Sequence, residues 1–151
     1  MEKLLIKFVN QKIGTEIEPP KFVTSGSAGM DLSACIDESI TLQPGERALV
    51  PTGIAIALPG PSYVALVFAR SGLAIKKGIG LPNGVGVIDS DYRGEIKCGL
   101  VNFSDSAYTI ECGERIAQLI VMNVHQPKLE IVTELPETER GAGGFGSTGK
   151  K

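Results

Sequence analysis

The sequence has one histidine, no tryptophan and three cysteines, and each shortage excludes a chemistry. His125 lies within N-V-H-Q-P, which reads as a strand end rather than a general base, so histidine-dependent nucleophilic triads are set aside. With no second histidine, and with Cys35, Cys98 and Cys112 outside any C-x-x-C spacing, neither a zinc site nor a disulfide framework is indicated. An excess of one charge is also missing. The net charge is −2 and the basic residues are scattered, which disfavours a nucleic-acid backbone binder. No apolar run approaches membrane-spanning length. The opening M-E-K-L-L-I-K-F-V-N-Q-K breaks its apolar stretch at Lys7 and is too short for a signal peptide. The expectation is a cytoplasmic protein that engages neither nucleic acid nor membrane.

Turn formers, by contrast, are plentiful. Nineteen glycines and nine prolines punctuate short apolar runs at intervals of roughly 8–12 residues, the pattern of sandwiches and barrels. The runs are L-I-K-F-V (to Val9), D-L-S-A-C, S-I-T-L, R-A-L-V, I-A-I-A-L, Y-V-A-L-V-F-A, V-G-V-I, E-I-K-C-G-L-V, Y-T-I, R-I-A-Q-L-I-V-M-N-V and L-E-I-V-T-E-L (Leu129–Leu135). P-G-E-R (Pro44–Arg47) and C-G-E-R (Cys112–Arg115) read as turns that feed strands. Only S-G-L-A-I-K-K (Ser71–Lys77) suits a short helix. At 151 residues the chain can build one domain with a real core. The nearly continuous runs Y-V-A-L-V-F-A and A-Q-L-I-V-M-N-V imply strands covered on both faces, in part by another subunit. Composition shifts to charge and glycine after Leu135, so a β domain over 1–135 is expected, followed by an arm over 136–151.

Candidate chemistry lies among the acids and around one arginine. G-V-G-V-I-D-S-D-Y-R-G-E-I places Asp89 and Asp91 two apart after an apolar strand, on one face if the backbone stays extended. Calcium is excluded, because Arg93 and Leu100 occupy the fifth and twelfth loop positions. A solvated turn is the plain reading; a carboxylate at an apolar strand end can also act as general base for water. F-A-R-S-G-L-A presents Arg70, Ser71 and Gly72 at a strand end that opens a possible helix, which suits phosphate, though an ordinary N-cap serine fits equally. Asp31, an acid in an apolar strand, needs a partner: a lysine, an arginine or a metal-bound water. Gln118 is a polar residue within a hydrophobic strand, either a core amide or a ligand contact.

The tail R-G-A-G-G-F-G-S-T-G-K-K spells G-x-x-x-x-G-K from Gly144 to Lys150. Lys151 replaces the Ser or Thr that ligates Mg²⁺ in a phosphate-binding P-loop, so that reading fails.

Taken in order, S-A-G-M-D-L-S-A, F-A-R-S-G-L-A, N-G-V-G-V-I-D-S-D-Y-R-G-E-I, G-E-R-I-A-Q-L-I-V and R-G-A-G-G-F-G-S-T-G resemble the five motifs of the homotrimeric dUTPase family. The resemblance runs from about Leu4 to Gly149, and no required motif position departs from it. It implies an all-β, jelly-roll-like subunit that trimerises, with sites shared between chains and a mobile Gly-rich arm that closes over the nucleotide.

By that resemblance, Asp89 would be the catalytic base that activates the attacking water. Tyr92 would pack beneath the deoxyribose and exclude a 2′-hydroxyl. Asn83 and the backbone of Gly84 to Ile88, including Val87, would receive uracil. Arg70, Ser71, Gly72 and Gln118 would contact the phosphates. Asp31 would hold water ligands of an Mg²⁺ cofactor chelated by the triphosphate. From the arm, Arg140 would approach the terminal phosphate, Phe145 would stack on uracil, and Gly146, Ser147 and Thr148 would bind phosphate oxygens. The implied reaction is hydrolysis of dUTP to dUMP and pyrophosphate by in-line attack of water, without a protein nucleophile. Alternatives on the same fold are a non-catalytic regulatory trimer, a dCTP deaminase-type relative and a broader triphosphate pyrophosphatase. The uninterrupted I-D-S-D-Y-R-G and the complete tail favour the hydrolase.

Overall fold

A computed structural model describes residues 2–144. In chain order its elements are β1 (Leu5–Phe8), β2 (Met30–Ser33), β3 (Ile40–Leu42), β4 (Arg47–Ala57), β5 (Tyr63–Ala69), α1 (Ser71–Lys77), β6 (Ile79–Gly80), β7 (Gly86–Ile88), β8 (Glu95–Asn102), β9 (Tyr108–Ile110) and β10 (Arg115–Asn123). They form two four-stranded antiparallel sheets, β1-β4-β8-β6 and β2-β10-β5-β7, and a ribbon of β3 with β9. The expected all-β, jelly-roll-like architecture is present.

Alternation decides what each strand buries. Along β5, Ala65 and Val67 face the core while Val64, Leu66 and Phe68 lie half-covered on the other side. Leu32, Val50, Leu100, Ile110, Ile116 and Leu119 are almost wholly enclosed, each worth roughly 1.5–3 kcal/mol of apolar transfer. Two polar residues, Thr52 and Asn102, are buried with them, Asn102 at 0% exposure. The Asn102 amide donates to the carbonyls of Leu42 (2.9 Å) and Ser106 (2.8 Å), and its Oδ1 accepts from the Ser104 N–H and hydroxyl. One side chain thereby ties the ribbon to β8.

Both G-E-R segments form the same turn. Glu46 N–H donates to Gln43 O, Glu114 N–H to Glu111 O, and each glutamate side chain accepts from the backbone N–H that opens its turn. Gly45 and Gly113 sit at φ 79° in both, a conformation that favours glycine.

Two expectations change. R-A-L-V and I-A-I-A-L are one strand, β4, because Gly53 at φ 72° absorbs an irregularity between Pro51 and Ala55. L-E-I-V-T-E-L forms no strand: regular structure among the described residues ends at Asn123, and Leu129, Ile131 and Leu135 stand exposed. A strand needs a neighbour, and this segment pairs with none of the strands among the described residues. No helix of the described residues is long and apolar enough to cross a membrane.

Candidate active site

Two clusters of the expected residues sit on the sheet β2-β10-β5-β7. The first is at the β7 edge. The chain leaves Leu81, turns through Asn83 and Gly84, and returns as β7 along β5. Gly84 N–H donates to Leu81 O at 3.0 Å, with Gly84 at φ 71°, and the Asn83 amide closes on Val85 O at 3.2 Å. At Gly86 a Cβ would lie 3.1 Å from Val67 Cβ, so this glycine lets β7 close on β5. A pocket of about 410 Å³ opens here, lined by Asn83, Gly86, Val87, Ile88, Asp89 and Tyr92 over Val67, Leu81, Ile96 and Cys98.

Asp89 follows β7 directly and is exposed on the pocket wall. Asp91 does not join it. The backbone turns at Ser90 and Asp91, with Tyr92 N–H donating to Asp89 O at 3.2 Å, so the two acids do not share an extended face. The turn brings Tyr92 back over the pocket, where its hydroxyl donates to Glu95 O at 3.0 Å. Gly94 is what permits this fold-back, since a Cβ there would stand 2.3 Å from the Tyr92 hydroxyl. Cys98, below, is no nucleophile: burial pushes its thiol up to about 12.

The second cluster gathers where β5, β2 and β10 meet. Arg70 is the N-cap of α1, with extended backbone and no side-chain cap, so Ser71 is the first helical residue and not the cap. The first-turn N–H groups of Ser71, Gly72 and Leu73 have no intrahelical acceptor. The Arg70 side chain turns to Asp31, Nε to Oδ1 at 2.9 Å, and its Nη1 donates to Arg115 O at 3.1 Å. Arg115 Nη1 takes the other oxygen of Asp31 at 3.0 Å. Gln118 lies on β10 and donates to Ala69 O at 3.0 Å, fastening the end of β5. Arg115 is a residue that the sequence reading did not single out. Its only signal was a distant one, an acid, Asp31, that required a partner.

Asp31 therefore carries two arginines. Each of its oxygens keeps a further lone pair, so it can still accept from a water. Among the described residues no three metal-ligating side chains converge. That donor set fits a magnesium carried mainly by substrate phosphates and touched through water, and does not fit a protein-built cage.

The pocket reaches Val67, three residues short of Arg70, but Asp89 stands at its far end. Ala65 pairs with Ile88 and Val67 with Gly86, so Asp89 lies level with Val64. Arg70 stands six residues further along β5, about 20 Å away at the usual strand rise. Arg140 is exposed and its Nε donates to Gly143 O at 2.8 Å, joining neither cluster. Phe145, Gly146, Ser147 and Thr148 lie outside the described residues.

Comparison with known proteins shows the family. The dUTPase family model matches residues 15–149. The chain belongs to the dUTPase family. It is 51% identical to the deoxyuridine 5'-triphosphate nucleotidohydrolase of Hahella chejuensis over 150 residues, covering 99% of each chain. The enzyme of the same name from Idiomarina loihiensis is 49% identical over 150 residues, again 99% of each. Among solved structures, the Staphylococcus bacteriophage 80alpha dUTPase with dUPNHPP superposes with a TM-score of 0.86 at 28% identity, covering 99% of both chains.

Proposed function

We propose that the protein hydrolyses dUTP to dUMP and pyrophosphate, as a cytoplasmic homotrimer whose sites are each assembled from more than one chain. The observation that carries this is the division of labour on one sheet. A base-sized pocket carries an acid, Asp89, at one end, and an arginine cluster beside free helix N–H groups stands about 20 Å from that acid. A triphosphate cannot be cleaved by groups that far apart, but a neighbouring copy can bring one end against the other. The exposed, alternating Leu129, Ile131 and Leu135 support assembly too, as a strand pattern with no pairing partner among the described residues.

In the reading we favour, uracil enters the pocket beside Asn83 and the β7 backbone. Donors and acceptors on that backbone would pair with the uracil edge, and cytosine would leave them unpaired, a discrimination of about 10⁴-fold where the groups are buried. Tyr92 packs under the sugar and leaves no room for a 2′-hydroxyl. Asp89 accepts a proton from water as that water attacks the α-phosphate, and pyrophosphate departs in line. Arg70, Ser71, Gly72 and Gln118 of another subunit hold the phosphates in place, and positioning supplies most of the rate. Magnesium, when bound to the triphosphate, neutralises phosphate charge, and Asp31 would hold one of its waters. Arg140, Phe145, Gly146, Ser147 and Thr148 close the site from the arm. The product dUMP feeds thymidylate synthesis while dUTP is kept low.

The test is pyrophosphate release from dUTP, dCTP, dTTP and UTP with Mg²⁺, for the full chain and for one ending at Glu139. Turnover of dUTP alone, abolished by truncation, is expected. Equal turnover of all four would overturn the roles of the pocket and Tyr92. Binding of dUTP without turnover would make the protein a regulator.

A further inference from the structure

Past Arg70 and Gly72, which both line it, the surface opens into a second pocket of about 430 Å³, whose wall continues through Leu73, Lys76, Lys77, Tyr108, Glu114 and Arg115. Four of these side chains are cationic, in a chain whose net charge is −2. The nearby carboxylates are already engaged. Asp31 holds both arginines, while Glu114 receives the Tyr108 hydroxyl and, on Oε2, the Glu111 N–H at 3.1 Å. Lys76 and Lys77 are exposed and have no ion-pair partner among the described residues.

Lysines in the last turn of a helix complement its dipole, which accounts for their presence on α1. It does not account for two arginines lining the same cavity. The lysines lie about 8–9 Å along the helix from Ser71, beyond the groups that grip the substrate. Their character differs as well. An arginine fork fixes a phosphate in one orientation, whereas a hydrated ammonium on a flexible stem suits an anion in transit.

We propose that this pocket binds inorganic pyrophosphate, receiving the leaving diphosphate on Lys76 and Lys77 before it escapes to solvent. The proposal rests on the dUTP-hydrolysing reading above. It treats the two lysines as product-binding residues, separate from those that hold the intact triphosphate.

The experiment compares the full chain with a Lys76→Gln, Lys77→Gln double variant, at fixed Mg²⁺. Pyrophosphate is titrated by calorimetry, and its inhibition of dUTP hydrolysis is measured alongside. The variant should bind and be inhibited by pyrophosphate about tenfold more weakly, as two exposed charge contacts near the top of their usual range require. Its KM for dUTP should move by less than about twofold and its Tm should stay put, which a merely structural role or a diffuse field effect would not allow. Unchanged pyrophosphate affinity would overturn the proposal, as would equal rises in KM and in the inhibition constant. Calorimetry needs no turnover. If the wild-type chain failed to hydrolyse dUTP, the functional reading would fall, and the pocket would be judged on the pyrophosphate titration alone.

Discussion

Arg70 and Asp89 share one sheet yet stand about 20 Å apart within a chain, by the register of β5 on β7 and the ordinary strand rise. If they serve one reaction, they do so from different subunits. Arg70→Gln and Asp89→Asn proteins should each be nearly inactive, the latter by about 10²–10⁴-fold with dUTP binding retained. Unfolded together and refolded as mixed oligomers, they should recover about a quarter of wild-type turnover, since one site in four then draws an intact Arg70 and an intact Asp89 from different chains. No recovery in verified mixed oligomers would mean that the site is built within a single chain.

The Tyr92 ring is held by a pair of conditions: its hydroxyl reaches Glu95 O, and Gly94 has no Cβ to block it. Gly94→Ala should push the ring off its seat and open the sugar wall. Discrimination of dUTP over UTP, read as the ratio of kcat/KM values, should fall about 10–100-fold. Tyr92→Phe keeps the ring and loses only the hydrogen bond, so its ratio should change a few-fold at most. Equal effects from the two variants would show that the hydrogen bond, and not the space at Gly94, seats the ring.

Asn102 makes four side-chain hydrogen bonds at a fully enclosed position. Asn102→Ala should cost about 2–4 kcal/mol, because the carbonyls of Leu42 and Ser106 lose their donor without gaining water. Asn102→Asp has nearly the same shape but turns two donors into acceptors facing those carbonyls, so it should be at least as damaging. Urea midpoints at equal protomer concentration test both. A harmless Asp variant would show that shape alone holds the ribbon.

How much of this could be read in the sequence depended on the range of the interaction. Y-V-A-L-V-F-A and S-G-L-A-I-K-K became β5 and α1 with the expected bounds, since both are set by neighbours in sequence: an apolar run, then a helix closed by Gly78 at φ 69°. The bend at Gly53 was hidden, because its N–H is satisfied by the Glu95 side chain, 42 residues away. Asp31 was legible as an acid in need of a partner; Arg115, 84 residues on, was not legible as that partner. L-E-I-V-T-E-L carried a strand pattern, but pattern does not provide an edge to pair with. The motifs named the family, while the separation of Arg70 from Asp89 came only from the register.

Three weak acids make stability fall on the alkaline side: burial raises Cys35 and Cys98, and the part-buried Tyr108 rises with them. Burial pushes Cys98 from 9.0 to about 12, and Tyr108 rises from 10.0 to about 12 through burial first and then its hydrogen bond to Glu114. In each case the folded chain holds the proton more tightly than the unfolded one. The contribution is therefore complete below about pH 9 for Cys98 and about pH 10 for Tyr108, and is lost as pH climbs toward 12. Urea midpoints should drop steadily above pH 9, with a shallower slope from there in Cys98→Ala and from pH 10 in Tyr108→Phe. Thiol chemistry gives an independent check near pH 8. Cys112 is exposed whereas Cys35 and Cys98 are buried, so a thiol reagent should modify one cysteine in the native protein and all three once it unfolds. Rapid native labelling of Cys98 would mean that the pocket floor opens to solvent, and the alkaline slope assigned to that thiol should then be absent.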